Sequence, residues 1–131
     1  MDILPHAPTV IIANGRFPCH PVPRSWIEKA GYIVCTDGAA NDFIDRGGKP
    51  DAIVGDCDSL SEEYSKRYAH ILHPNPDQDT NDLTKSVQFC VQNGKREIVI
   101  VGATGKREDH TLGNISLLAE YMKIAKVMMV T

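Results

Sequence analysis

Apolar residues in this chain fall in short unbroken runs separated by amphipathic stretches. The runs are Thr9 to Ala13, Tyr32 to Thr36, Ala52 to Gly55, His70 to His73, Glu97 to Val101 and Lys126 to Thr131. Runs of this kind without polar alternation suit strands covered on both faces. Between them the apolar period lengthens. Leu83, Val87, Cys90 and Val91 recur at three- and four-residue steps, which predicts a helix from Asn81 to Asn93 stopped by Gly94. Leu112, Ile115, Leu117, Leu118 and Tyr121 predict another from Asp109 to Tyr121. Earlier, Pro18, Pro21 and Pro23 forbid regular pairing, so a short helix is expected from Arg24-Ser25, carrying Trp26, Ile27 and Ala30 as far as Gly31. A further helix runs from Asp37-Gly38 through Arg46 to Gly47-Gly48, and Ser59-Leu60-Ser61-Glu62 has the spacing of a capping box that opens a helix to about Ala69.

Strands and helices thus alternate along the whole chain. The expected fold is α/β: a doubly wound, mostly parallel sheet of about six strands with helices on both faces, a Rossmann-like three-layer arrangement. At 131 residues the chain has room for one such domain. It stops inside the apolar run Val127 to Val130, which suggests a natural continuation.

Composition narrows the function classes. With 42% hydrophobic and 24% charged residues this is the make-up of a soluble globular domain, and a formal charge of −3 gives no reason to expect nucleic acid or an anionic membrane as partner. No stretch reaches the ~18 apolar residues of a membrane helix and the N-terminus has no leader pattern, so a cytoplasmic location is expected. Cys19, Cys35, Cys57 and Cys90 are scattered without a C-x-x-C pair. Free thiols are therefore expected rather than zinc.

Four polar segments leave the ends of predicted strands. Asp56 and Asp58 follow the run Ala52 to Gly55, and Asp77, Asp79 and Asp82 come one strand later. Carboxylates crowd in this way most readily around a hard cation, and a sparse set suits Mg²⁺ with phosphate oxygens better than a calcium cage. The segment from Gly102 to His110 supplies the opposite charge. Gly102, Gly105, Lys106 and Arg107 precede a helix, where backbone N–H groups and a guanidinium can meet phosphate together, although the Walker spacing is absent. Asp109 is equally placed to cap that helix, to orient Arg107 or to pair with His110. The fourth segment, Asp37-Gly38, is a turn signal placed at a strand end.

Taken in order, Cys35 to Asn41, Gly55 to Ser59, Asp77 to Lys85, and Gly102 to His110 with Asn114 resemble the blocks of the thiamin pyrophosphokinase catalytic domain. The resemblance covers nearly the whole chain. It implies transfer of a pyrophosphoryl group from ATP to the hydroxyl of thiamin, with AMP leaving and Mg²⁺ required. Carried over by position, Asp56, Asp58 and Asp82 hold metal and phosphate and, with Arg107 and Asp109, form the catalytic set. Asp37, Gly38, Asn41, Thr104, Gly105, Arg107, Asp109 and His110 line the ATP side, and Gln78 with Asp79 the thiamin side. Asp82 and Asp109 are the candidates for the general base. Three positions depart from the family's pattern: Cys57, Asn81 and Lys106.

The resemblance also implies residues 1–131 to be the ATP- and Mg-binding catalytic domain, with the family's β-sandwich thiamin-binding domain missing and a homodimer formed by the full-length protein. Such a fragment is expected to bind nucleotide and metal with little turnover alone. Two other readings use the same residues. A haloacid-dehalogenase-type phosphatase would make Asp56 a nucleophile, and a non-catalytic nucleotide-binding domain would bind ATP without releasing AMP.

Overall fold

The computed structural model describes residues 8–13, 21–55, 60–74, 82–102 and 125–130, with the side chains at 21–24, 82 and 130 left aside. The elements are β1 (Thr9–Ile12), α1 (Pro21–Lys29), β2 (Tyr32–Thr36), α2 (Asp37–Asp45), β3 (Ala52–Gly55), α3 (Glu62–Arg67), a 3₁₀ turn (Ala69–Ile71), β4 (Leu72–Pro74), α4 (Asp82–Gln92), β5 (Glu97–Val101) and β6 (Lys126–Val130). The six strands form one sheet in the order β4-β3-β2-β1-β5-β6, and every pairing is parallel. The expected doubly wound sheet is therefore present, with no antiparallel member. The last predicted helix, Asp109 to Tyr121, lies outside the described residues.

The core divides into two layers, as a sheet buried on both faces requires. Val10, Ile12, Cys35, Ile53, Val99 and Val101 point to one side, where Ala39, Ala40, Phe43 and Ile44 of α2 pack with Trp26 and Ile27 of α1 and Tyr64 of α3. Ile11, Val34, Ala52, Val54, Ile98 and Ile100 point to the other, against Leu83, Val87 and Cys90 of α4. The alternation explains why the strands read as continuous apolar runs. Both neighbours of every core residue are themselves covered.

The winding follows from this division. The chain steps from β1 out to β4 with α1, α2 and α3 on one face, then returns through α4 on the opposite face to add β5 beside β1. Right-handed crossovers demand that change of face when the direction of travel reverses. The order reverses between β1 and β5, which is the topological switch point.

Local differences from the sequence expectation have local causes. α1 begins at Pro21 rather than Arg24. Pro21 and Pro23 fall in its first turn, whose N–H groups have no intrahelical acceptor, so neither costs a hydrogen bond. The N-cap of α3 is Ser61, whose Oγ accepts from the Tyr64 N–H at 3.2 Å, rather than Ser59. Leu60 is buried in the core just before it, so the chain enters the helix only after that anchor is set. β4 starts at Leu72 because the 3₁₀ turn takes up His70 and Ile71, and its terminal Pro74 is tolerated on an edge strand.

Candidate functional site

Parallel topology sends every strand exit to one edge of the sheet. Thr36 lies opposite Val54, and Gly55 opposite Pro74. The exits of β2, β3 and β4 are therefore side by side, about 4.8 Å apart from strand to strand. Asp37 follows the first directly, Asp56 follows the second, and the segment from Pro74 to Asp82 follows the third. Across the switch point, the Ala13 N–H donates to the Val101 carbonyl at 2.9 Å, so β1 and β5 stay paired to their ends. Beyond Val101, Gly102 opens the basic segment.

Glycines stand at both chemical exits for a backbone reason. Gly55 has φ 149° and Gly102 φ 71°, values that L side chains rarely adopt. Each lets the chain leave its strand abruptly.

Asp37 is the best-defined of the expected site residues. It is 1% exposed, starts α2, and its Oδ1 accepts from the Gly38 N–H at 2.8 Å. A helix N-terminus favours negative charge, which helps keep a carboxylate so deeply placed. Asn41, one turn on, uses its side-chain oxygen to accept from the Ser61 N–H at 3.0 Å, tying α2 to the start of α3. Asp82 is the first residue of α4, the position where the helix dipole favours an acid. Asp56, Asp58, Gln78, Asp79, Thr104, Gly105, Arg107, Asp109 and His110 lie outside the described residues.

Buried polar groups mark the same edge. Only Thr9, Thr36, Asp37, Lys85 and Ser86 are polar or charged and buried among the described residues. Thr9 starts β1, whereas the other four sit at the end of β2, the start of α2 and the first turns of α4. Thr36 Oγ1 has no hydrogen-bond partner among the described residues although the residue is 1% exposed. A buried hydroxyl without a partner is uncommon and costly, and such groups gather where a ligand or water completes the set. Thr36, Lys85 and Ser86 carry no assigned role from their sequence positions. The available signal was spacing, since Lys85 stands three residues after Asp82.

Among the described residues, cysteine chemistry finds no support. Cys35 is fully buried one residue before Thr36, and burial pushes its thiol well above the ordinary value. Burial likewise pushes the Cys90 thiol up to about 12, against a partial lowering by Lys95. Neither offers a thiolate near neutral pH. Among the described residues no helix is long and apolar enough to cross a membrane, and no three His, Cys, Asp or Glu side chains come together as a metal-holding group.

Residues 23–130 match the family model for the thiamin pyrophosphokinase catalytic domain. Thiamine pyrophosphokinase 1 of Oryza sativa subsp. japonica is 36% identical over 145 aligned positions, covering 92% of this chain and 54% of the relative. Thiamin pyrophosphokinase 1 of Caenorhabditis elegans is 37% identical, covering 72% of this chain and 42% of the relative. The chain spans about half the length of these curated relatives. The crystal structure of yeast thiamin pyrophosphokinase shares the fold, with a TM-score of 0.77 over 98% of this chain and 59% of the yeast chain at 20% identity. That of Bacillus subtilis thiamine pyrophosphokinase gives a TM-score of 0.73 at 28% identity, over 93% of this chain and 59% of its own. Neither the phosphatase nor the non-catalytic reading is supported by these matches. From the fold, the shared strand exits and a match that runs through both acidic blocks and the basic segment, the chain belongs to the thiamin pyrophosphokinase family, in its catalytic domain.

Proposed function

We propose that this domain works in a protein that transfers a pyrophosphoryl group from ATP to the hydroxyl of thiamin, giving thiamin diphosphate and AMP. The observation that carries the reading is the side-by-side exit of β2, β3 and β4, the strand ends that Asp37, Asp56 and the segment leading to Asp82 follow in the sequence. The basic exit of β5 lies three strands from that of β3, roughly 14 Å away at the strand ends. An elongated polyphosphate can span that gap, whereas a single ion cannot.

The donor chemistry at the acidic exits fits a hard cation, since carboxylate oxygens are available and the nearest described cysteine thiol stays protonated. Asp56, Asp58 and Asp82 would hold Mg²⁺. When bound, the cation draws negative charge from the phosphate oxygens and from the bridging oxygen as it leaves. The protein's own part is to place the reactants in line. Arg107 binds the phosphate chain, and the buried Asp37 with α2 fixes one wall of the nucleotide side. The bond formed joins the thiamin hydroxyl oxygen to the β-phosphorus. The bond broken joins that phosphorus to the oxygen bridging toward the α-phosphorus, whose electron pair departs with AMP. Asp82 or Asp109 accepts the hydroxyl proton.

Gln78 and Asp79 contact thiamin in this reading. Asn41, Gly38, Thr104, Gly105 and His110 complete the ATP side. The full natural protein would be a cytoplasmic homodimer whose β-sandwich half completes the thiamin pocket. AMP release from ATP, measured on that protein with Mg²⁺ and with or without thiamin, tests the proposal. Thiamin-dependent AMP release is the expected result, and ATP binding without any AMP would overturn it.

A further inference from the structure

α2 and α3 are tied side by side at two points. The Asn41 side-chain oxygen accepts from the Ser61 N–H at 3.0 Å, and about one turn further along both helices the Tyr64 hydroxyl donates to the Asp45 carboxylate. The two ties differ in what stands next to them. Ser61 is the N-cap of α3 and follows Leu60, which is 7% exposed and packs in the same core layer as Ala39, Ala40, Phe43 and Ile44 of α2. Asp45 and Tyr64 lie within the two helices.

Only residues 56–59 separate Leu60 from Gly55, the buried end of β3 that pairs with Pro74. Asp56 and Asp58 belong to that short connection. A chain reaches at most ~3.6 Å per residue, so Asp58, two positions before Leu60, stays within roughly 7 Å of it. The anchor at Leu60 and Ser61 therefore limits where the carboxylate can go. Burial of Leu60 supplies the apolar half of the anchor and Asn41 the polar half. Asn41 also follows Asp37 by one turn on the same face of α2, so the bond joins the helix that begins with the buried Asp37 to the far end of the acidic connection. The Ser61 N–H is exposed and would otherwise bond to water, so the tie adds little to folding. What it adds is a fixed position.

We propose that Asn41 is a positioning residue for the cation site: by holding the Ser61 N–H it fixes the end of the connection that carries Asp56 and Asp58 and so presets their carboxylates for the metal. This rests on the metal role proposed for Asp56 and Asp58, and it adds to the place of Asn41 on the ATP side.

The test compares Asn41→Leu, Asn41→Asp and Tyr64→Phe with the wild type in the full natural protein. Mn²⁺ affinity is measured without nucleotide, and turnover is corrected for the folded fraction. Asn41→Leu removes the acceptor, and the Mn²⁺ dissociation constant and half-saturating Mg²⁺ are both expected to rise about three- to tenfold, the range that one neutral hydrogen bond commands. Asn41→Asp keeps an acceptor oxygen in the same place and should restore most of the Mn²⁺ affinity, even where loss of the amide N–H groups weakens ATP binding. Tyr64→Phe removes the other tie between the same helices and should leave Mn²⁺ affinity unchanged, a separation that a role in stability alone would not produce. Should Asn41→Leu not fold, Ser61→Pro deletes the N–H at a φ of −61° that proline adopts, with Ser61→Ala as the control for the lost cap. Of that pair only Ser61→Pro should weaken Mn²⁺ binding. Unchanged Mn²⁺ affinity in the variant that breaks the Asn41 tie overturns the proposal, as does an equal loss in Tyr64→Phe or a failure of Asn41→Asp to restore it. A wild type that binds Mn²⁺ but releases no AMP defeats only the pyrophosphokinase reading, since Mn²⁺ affinity still decides the role of Asn41. A wild type that binds no Mn²⁺ defeats both.

Discussion

The two edges of the sheet are built from the same strands and treat polar groups in opposite ways. At the amino edge, polar groups are satisfied by their neighbours. The Asp51 N–H donates to the Ile33 carbonyl, and Asp51 Oδ2 accepts from the Ile33 N–H, each at 2.8 Å. The Gly31 N–H reaches the Pro8 carbonyl at 2.9 Å, the Lys126 N–H reaches the Arg96 carbonyl at 2.7 Å, and Lys95 Nζ sits 4.7 Å from the centre of the Tyr32 ring. At the carboxyl edge Thr36, Asp37, Lys85 and Ser86 are buried, and one hydroxyl lacks a partner among the described residues. One edge closes the fold; the other holds polar groups inside it at a cost to stability. Such a cost is retained where a ligand site repays it.

The contrast predicts that substitutions at the carboxyl edge change activity more than stability, with the reverse at the amino half. The largest effect is expected from Asp56→Asn or Asp82→Asn in the full natural protein, a fall in kcat of about a thousandfold with an unchanged melting temperature. Steady-state AMP release and thermal unfolding measure the two sides, and near-normal turnover would remove either residue from the metal site.

Next comes Ile98→Ala. Ile98 is 2% exposed in the amino half of β5, so its truncation should destabilise the fold by about 3 kcal/mol while turnover per folded molecule is kept. Denaturant titration reads the first and active-site-normalised rates the second. A specific loss of activity without destabilisation would blur the distinction between the edges.

Thr36→Val should act in the opposite sense. It removes a hydroxyl without a partner among the described residues at nearly constant volume, so the ligand-free protein should gain about 1 kcal/mol. Weaker ATP binding by calorimetry should accompany the gain. A destabilised variant would show that the hydroxyl already has a structural partner.

The smallest effect is on pH dependence. The Cys35 and Cys90 thiols are raised by burial from an ordinary value of 9.0, so above pH 9 the unfolded chain releases protons that the folded chain retains. The stabilisation is fully present below pH 9 and is lost as pH rises through the folded values, so the melting temperature should fall on the alkaline side. Cys35→Ala with Cys90→Ala should flatten that decline, and an identical slope would exclude the thiols as its cause.

Much of this molecule was legible in the order of its residues. Strands covered on both faces leave unbroken apolar runs, which is why β1, β3 and β5 were found within a residue of their ends. Helix periodicity located α4, and the change from one pattern to the other implied parallel crossovers. The four polar blocks could be singled out because each follows the end of a predicted strand and gathers carboxylates or basic residues there. Boundaries at α1, α3 and β4 were less legible, since Pro21 in a free first turn, the anchoring of Leu60 and the short reach of an edge strand depend on neighbours distant in sequence.

What tertiary structure alone decided is which exits are adjacent and which polar groups leave water. Sequence order says nothing of β1 lying between β2 and β5, yet that arrangement separates the acidic exits from the basic one. Nor does helical periodicity by itself explain why Lys85, at the margin of the stripe of α4 that packs on the sheet, is buried while Gln88 is exposed. Periodicity reports the face a helix turns to its own sheet. Burial at the margins of that face is set by the rest of the fold, and only the assembled chain reveals it.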